Sequence, residues 1–115
     1  MDLAEYQKFI KSLSGGFDDN EKEILTWGLG IAGEAGDVAG CIKKTYSHKH
    51  DQVSGVKENL DDTLWYIGAI CNYYGWTLDE VIEENVEKLQ KRYPENKFTF
   101  KHAKRDGKRV DWNEK

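Results

Sequence analysis

The sequence predicts an all-α protein, and three observations support this fold class. The 115 residues include a single proline, Pro94. Apolar residues recur at spacings of three and four, as on one face of a helix, and no stretch alternates as a strand would. Glycine or proline follows three of the four periodic stretches. The length fits one domain with one packed core.

The first two periodic stretches predict two helices. The first spans about residues 2–14, with Asp2 as its N-cap and Gly15 after its end. The second spans about residues 20–45 and holds several glycines, each of which costs about 1 kcal/mol relative to alanine inside a helix. We therefore expect the second helix to pack closely against a neighbour and to bend.

Two further helices follow a polar loop. The third spans about residues 55–74 and ends at Gly75. The fourth begins at the capping box Thr77–Glu80 and ends near Tyr93, before the proline. The polar, locally basic residues 95–115 fit either an ordered arm or a loose tail, and the sequence leaves both open.

Composition limits the class of protein. The formal net charge of −4 argues against bulk electrostatic attraction to nucleic acid. No apolar run reaches the roughly 18 residues of a membrane span, and the N-terminus lacks the basic start and apolar centre of a signal peptide. Cys41 and Cys71 stand alone, without a CxxC pair. We therefore expect a reduced, cytoplasmic protein with no membrane partner.

Acidic residues occupy one face of the third predicted helix. Leu60, Leu64, Ile67 and Cys71 form its apolar stripe. Glu58 and Asp62 lie about 160° and 200° around the helix from Leu60, beside Trp65. The helix therefore has a second organised face, opposite the leucines.

The second predicted helix repeats this arrangement. Ile24 belongs to its apolar stripe, and from Ile24 the angle around the helix is about 220° to Asp37 and about 280° to Glu34. If the two acidic faces oppose each other, four carboxylates meet, and like charges at that range resist ionising together. A divalent cation resolves this conflict. Hard oxygen ligands on rigid helices suit Mg²⁺, with Mn²⁺ as a possible substitute.

The fourth predicted helix carries the opposite charge. Asn85, Lys88 and Arg92 lie within about 60° of one another on its surface. An amide, an ammonium and a guanidinium in a row suit a polyphosphate. Carboxylates that hold a metal, together with such a row, indicate phosphate-ester or phosphoanhydride chemistry.

Four segments of the chain resemble motifs of the MazG-like nucleotide pyrophosphohydrolases. GLGIAGEAGDV at residues 28–38 resembles the first acidic motif, and IKK at residues 42–44, with the histidine-bearing loop after it, resembles the stretch that follows. ENLDDTLWYI at residues 58–67 resembles the second acidic motif. NVEKLQKRYP at residues 85–94 resembles the end of the last core helix. The likeness covers about residues 20–96, in the order of the family.

The resemblance implies a fold, a reaction and an assembly. The fold is the four-helix core of the all-alpha NTP pyrophosphatases, completed by dimerisation, in a homodimer or homotetramer. Residues 1–96 would form the catalytic domain, and residues 97–115 the arm or tail. The reaction is Mg²⁺-dependent cleavage of a nucleoside triphosphate between its α and β phosphates, so that (d)NTP and water give (d)NMP and pyrophosphate. Asp37 departs from the family's ExxE…ExxD pattern, since glutamate is usual there. The second motif has two readings: Glu58–Asp61 fits ExxD, or the family's aspartate falls on Asp62 and Asn59 stands where glutamate is usual.

The resemblance also implies roles for particular residues. The implied metal ligands are Glu34, Asp37, Glu58 and Asp62, with Asp61 as second choice for the last, because Glu58–Asp61 also reads as ExxD. We hypothesise that Glu34 is the catalytic base. The candidate substrate-binding residues are Lys43, Lys44, Asn85, Lys88 and Arg92, with Trp27 or Trp65 stacking on the base.

Two other functions remain open. The chain would be a nucleic-acid-binding module if its basic tail, from Lys97 to Arg109, made the contacts. The rest of the chain is acidic and shows no recognised nucleic-acid motif, so nucleic acid is not an expected partner. The chain would be a non-catalytic helical oligomer if the acids formed an ordinary solvated face. Its aromatic residues are too many to point inward in one small bundle, which favours an oligomer in either case.

Overall fold

The computed structural model describes residues 1–104, and these form five α-helices and no strand. The helices are α1 (Leu3–Leu13), α2 (Asn20–Tyr46), α3 (Val53–Tyr74), α4 (Leu78–Arg92) and α5 (Phe100–Lys104). The predicted all-α class is confirmed, and the four predicted helices are present. The short α5 lies in the stretch that the sequence left open, and residues 105–115 of the predicted arm lie outside the described residues. No helix in the described part is long and apolar enough to cross a membrane.

Local chemistry explains where the helices begin and end. Asp2 caps α1 by accepting a 2.8 Å hydrogen bond from the backbone N–H of Glu5, whose side chain accepts in return from the Asp2 N–H. Asp19 caps α2 by accepting from the N–H of Glu21 at 2.7 Å. Gly75 ends α3 in the left-handed conformation, at a φ of +76°, as its position in the sequence predicts.

α2 and α3 form an antiparallel pair that is the centre of the fold. At one end of the pair the ring centroids of Trp27 and Trp65 lie 5.2 Å apart, edge to face. At the other end the side-chain amide of Asn59 donates to Cys41 Sγ at 3.5 Å. Residue numbers rise along α2 as they fall along α3, so the two helices run in opposite directions.

The apolar stripe of α3 is open at its start and buried at its end. Leu60 is 53% exposed and Leu64 is 45% exposed, whereas Cys71 is 4% exposed. The contacts with α1 and α2 lie on other faces of α3, where Gly68 meets Ile10 and Tyr66 meets Gly30. Neither α1 nor α2 therefore covers the two leucines.

Close packing explains one of the glycines of α2. A Cβ at Gly30 would run into the ring of Tyr66, so only glycine lets α3 approach there. Within the described residues nothing lies within 4 Å of a Cβ built at the other glycines of this helix, which are Gly28, Gly33, Gly36 and Gly40. The expected close approach therefore holds at Gly30 and not along the whole helix.

The chain divides into two compact units, Met1–Leu78 and the residues from Asp79 onward. In the second unit Tyr93 follows the end of α4 and contacts the residues that form and precede α5. Its ring centroid lies 5.5 Å from that of Phe98 and 6.1 Å from that of His102. These aromatic contacts hold α5 against the end of α4.

Candidate metal centre

The two acidic faces oppose each other in the middle of the α2–α3 pair. A Cβ at Gly30 of α2 would meet Tyr66 of α3, and a Cβ at Gly55 of α3 would meet Cys41 of α2. These two contacts lie eleven residues apart on each helix. Glu34 follows Gly30 by four residues and Asp62 precedes Tyr66 by four, so the two acids lie at the same level of the pair.

The charges around Glu34 indicate that the five acids share one neighbourhood. Partial burial raises the pKa of the Glu34 carboxyl, and the next largest cause is the negative charge of Asp62. The further contributions, in falling order, come from Asp37, Glu58 and Asp61. Glu34 is half-buried while the other four carboxylates are exposed, so Glu34 is the inner member of the cluster.

Within Met1–Leu78 no lysine, arginine or histidine forms an ion pair with any of these five carboxylates. Elsewhere acids do pair, as Glu84 does with Lys88 at 3.2 Å. In the same part of the chain no three histidine, cysteine or acidic side chains converge closely enough to form a ready-made metal site. The fold thus gathers the predicted ligands on one surface, and a shared cation would have to draw their side chains together.

Asn59 and Asp61 lie near Asp62 on α3, and their contacts bear on which residue of this stretch acts as the partner of Glu34. The Asn59 amide donates to the carbonyl oxygen of Gly55 at 2.8 Å and to Cys41, so it packs the two helices together. Asp61 has the weakest effect of the four acids on Glu34, as expected from its position about 100° around α3 from Asp62. These contacts favour Asp62 over Asp61 as the partner of Glu34.

The two predicted base-stacking residues have different surroundings. Trp27 is 6% exposed, packs edge-on against Phe17 and Trp65, and donates its indole N–H to Glu23 at 3.1 Å. Trp65 is only half-buried. Trp27 therefore fills the core, and Trp65 is the better placed of the two to meet a ligand.

The predicted phosphate-binding residues lie on two helices. Lys43 and Lys44 occupy the exposed last turn of α2, where positive charge suits the helix dipole. They lie six and seven residues after Asp37, which is about 9–10 Å along the helix. The remaining three, Asn85, Lys88 and Arg92, lie on α4 in the second unit.

Tyr6 on α1 is a neighbour of the acidic cluster that sequence reasoning did not single out as functional. Burial raises the pKa of its phenol, and the charges of Asp61 and then Asp62 raise it further. In the sequence Tyr6 is one apolar position in the stripe of α1, so no local signal sets it apart.

The fold and the site define an all-α protein with an antiparallel helix pair that carries an acidic centre. Residues 22–97 match the family model of the MazG nucleotide pyrophosphohydrolase domain, and the chain belongs to that family. The chain is also similar to the Gene 37 protein of Mycobacterium phage L5, with 30% identity over 69 residues. That alignment covers 56% of this chain and 60% of the phage protein. No solved structure gives a significant match.

Proposed function

We propose that this chain is a Mg²⁺-dependent nucleoside triphosphate pyrophosphohydrolase, which converts (d)NTP and water to (d)NMP and pyrophosphate. Membership of the MazG family supports the reaction class. The observation that carries the proposal is the cluster around Glu34, where four further carboxylates lie within electrostatic range. Such a cluster strains the fold unless a cation offsets its charge.

The donor set fits a hard divalent cation. Glu34, Asp37, Glu58 and Asp62 would hold it, since all four offer carboxylate oxygens and no sulfur or nitrogen ligand lies among them. Mg²⁺ keeps several of its own waters, which suits a surface where the protein side chains do not fully enclose the ion. When bound, the cation would supply Lewis-acid stabilisation of the negative charge that develops on the phosphate oxygens.

Glu34 is the proposed general base. Its raised pKa, caused by partial burial and by its acidic neighbours, brings the carboxylate closer to the basicity that water activation needs. The Glu34 carboxylate would take a proton from the attacking water as the water oxygen bonds to the α-phosphorus. The bond from the α-phosphorus to the bridging oxygen breaks, and pyrophosphate leaves with that oxygen.

The remaining residues would hold the nucleotide. Lys88 and Arg92 would bind the β and γ phosphates, with help from Lys43 or Lys44, because ammonium and guanidinium groups match phosphate oxygens. Asn85 would donate a hydrogen bond to the nucleotide from the same helix. Trp65 would stack on the base in preference to Trp27, because Trp65 is the more open of the two.

A second copy of the chain would complete the bundle, in a homodimer or homotetramer. Leu60 and Leu64 expose an apolar stripe on α3, and Leu25 and Leu29 are also exposed, at 62% and 73%, on α2. Apolar side chains at helical spacing favour burial against another helix. This surface supports an assembly made from copies of the same chain.

A product assay tests the proposed reaction directly. The purified protein is incubated with each common dNTP and NTP, once with Mg²⁺ and once with EDTA, and the products are separated. Monophosphate with pyrophosphate, formed only with metal, is the expected result. Diphosphate with orthophosphate would place the attack on another phosphorus. No turnover by folded protein would reject the proposal and direct attention to salt-dependent nucleic-acid binding by the basic tail.

A further inference from the structure

The second unit contains an open cavity of about 320 Å³ beside the end of α4. Val86, Leu89 and Tyr93 line it from α4 and the residue after that helix, and Phe98 lines it from the chain that follows. Val86 is 46% exposed, Leu89 37% and Phe98 61%, so the apolar wall of the cavity faces water within residues 1–104. Apolar side chains around a concave space favour its filling by another apolar group.

A tight turn places Phe98 opposite α4. Pro94 cannot continue the helix, and Asn96 adopts the left-handed conformation, at a φ of +55°, which asparagine tolerates better than most residues. The Asn96 N–H donates to the carbonyl oxygen of Tyr93 at 2.9 Å and closes the turn. The Phe98 ring therefore returns to the Tyr93 ring, at 5.5 Å between centroids, and forms the far wall of the cavity.

α5 ends close to this cavity. His102 of α5 packs edge-on against Tyr93, which lines the cavity, and the helix ends two residues later at Lys104. An extended chain covers at most about 3.3–3.6 Å per residue, so residues 110–112 can lie up to about 20–29 Å from Lys104. The segment after α5 is therefore long enough to reach back to the cavity.

Residues 105–115 include two apolar side chains, those of Val110 and Trp112. The two stand two positions apart, so in an extended chain both project to one side and Asp111 projects to the other. A tryptophan gains much from leaving water, because its ring is large and mostly apolar. The negative charge of Asp111 beside it complements that of Lys97, which also lines the cavity.

We propose that this cavity is the docking site of the chain's own residues 110–112, with the Trp112 indole between Val86 and Phe98. Tethering favours this occupant, because a segment joined by a short linker meets the cavity at an effective concentration in about the millimolar range. A separate partner has to reach that concentration to compete. Residues 95–115 thus form an ordered arm, one of the two alternatives that the sequence left open. The inference does not depend on the proposed reaction.

Fluorine NMR of the full chain labelled with 5-fluorotryptophan tests the docking, because each of the four tryptophans gives its own signal. Single substitutions to phenylalanine, such as Trp112→Phe, assign the signals. Trp27, at 6% exposed, and Trp76, at 49% exposed, are internal references for a buried and an open indole. A soluble gadolinium chelate should broaden the Trp112 signal as little as that of Trp27. In Val86→Lys the Trp112 signal should lose this protection and broaden as much as that of Trp76.

Ile82→Lys is the matched control. Ile82 lies one turn before Val86 on α4 and is 47% exposed, but it does not line the cavity, so I82K should leave Trp112 protected. Phe98→Ala changes the cavity wall outside α4 and should expose Trp112 as V86K does, so the result does not rest on the folding of one variant. The assignment is overturned if Trp112 is as open as Trp76 in the wild type, or if V86K and I82K act alike. Loss of protection on dilution would also overturn it, because a second copy would then be the occupant.

Discussion

Gln7 on α1 and Asn72 on α3 exchange two hydrogen bonds. Gln7 Nε2 donates to Asn72 Oδ1 at 3.0 Å, and Asn72 Nδ2 donates to the backbone oxygen of Gln7 at 3.0 Å. The Gln7 side chain also donates to the carbonyl of Trp76 at 3.0 Å and accepts from the N–H of Leu78 at 2.7 Å. One buried amide thus fixes α1 to the turn that follows α3.

Gln7→Met should destabilise the first unit strongly. The substitution keeps the length of the side chain but removes the partners of the Leu78 N–H, of Asn72 Oδ1 and of the Trp76 carbonyl. Each buried polar group left without a partner costs about 1–3 kcal/mol. We expect the free energy of unfolding to fall by about 2–4 kcal/mol in urea titration. Gln90→Met, at an exposed glutamine of α4, should change it by less than about 0.5 kcal/mol. Equal effects of the two substitutions would contradict this role for Gln7.

Gly30→Ala should destabilise the pairing of α2 with α3. The added methyl group meets the Tyr66 ring, and overpacking of this kind costs about 1–3 kcal/mol. Gly28→Ala is the matched change on the same helix, where nothing described lies within 4 Å of the new methyl. It should instead gain up to about 1 kcal/mol from helix propensity. Thermal unfolding of the two variants should therefore move in opposite directions.

Glu34→Gln should stabilise the metal-free protein at neutral pH. The folded-state pKa of Glu34 is raised, first by burial and then by its acidic neighbours. Its favourable contribution is therefore complete below the unfolded pKa and is lost as the pH rises through the folded pKa. Thermal unfolding in EDTA should show E34Q above wild type at pH 7 and equal to it near pH 4.

The exposed Glu83→Gln on α4 supplies the control for that pH series. Its unfolding temperature should follow that of the wild type throughout. If E34Q were the less stable protein at pH 7, the carboxylate would be making favourable contacts in the folded state. The repulsion described around Glu34 would then be wrong.

Asp62→Asn should weaken Mg²⁺ binding more than Asp61→Asn. Asp62 faces Glu34 and has the largest charge effect on it, whereas Asp61 has the smallest of the four. By calorimetric titration we expect D62N to lower the affinity by at least about tenfold and D61N by less than about threefold. The reverse order would move the ligand to Asp61 and to the alternative ExxD reading of the motif.

Leu64→Lys should separate an assembly of copies without unfolding the chain. Leu64 is 45% exposed on α3, so a lysine head group can reach water in the single chain. At an interface the same charge would be buried without a partner. Light scattering should report an oligomer for the wild type and a monomer for L64K. A wild-type monomer at micromolar concentration would exclude the proposed assembly.

Helix positions and the acidic faces could be predicted because their signals are local. Asp2 and Gly75 mark ends that backbone hydrogen bonding decides. The shared face of Glu58 and Asp62 follows from the helical turn of α3. Periodicity shows that a stripe is apolar, but it does not say which surface covers it. For that reason the sequence does not tell that Leu60 and Leu64 stay open in the single chain while Cys71 of the same stripe is buried.

Other features had no local signal in the sequence. The five residues of α5 contain a single turn of helix, held by contacts such as that between Tyr93 and His102. Such contacts form only when the chain folds, and no repeating pattern in the sequence predicts them. The proximity of Tyr6 to Asp61 likewise depends on how α1 crosses α3, which periodicity in either helix cannot express.

The contacts at the two ends of the α2–α3 pair set how far apart the acids lie. The Trp27–Trp65 and Cys41–Asn59 contacts hold the two helices together on either side of the acidic stretch. At Gly55 an added Cβ would lie 2.9 Å from Cys41 Sγ. A bulkier residue at Gly55 would therefore push α2 and α3 apart at the Cys41–Asn59 contact. Such a change would widen the gap between Glu34 and Asp62 and leave every carboxylate in the sequence untouched. It would thereby alter the cation radius that the proposed metal site prefers.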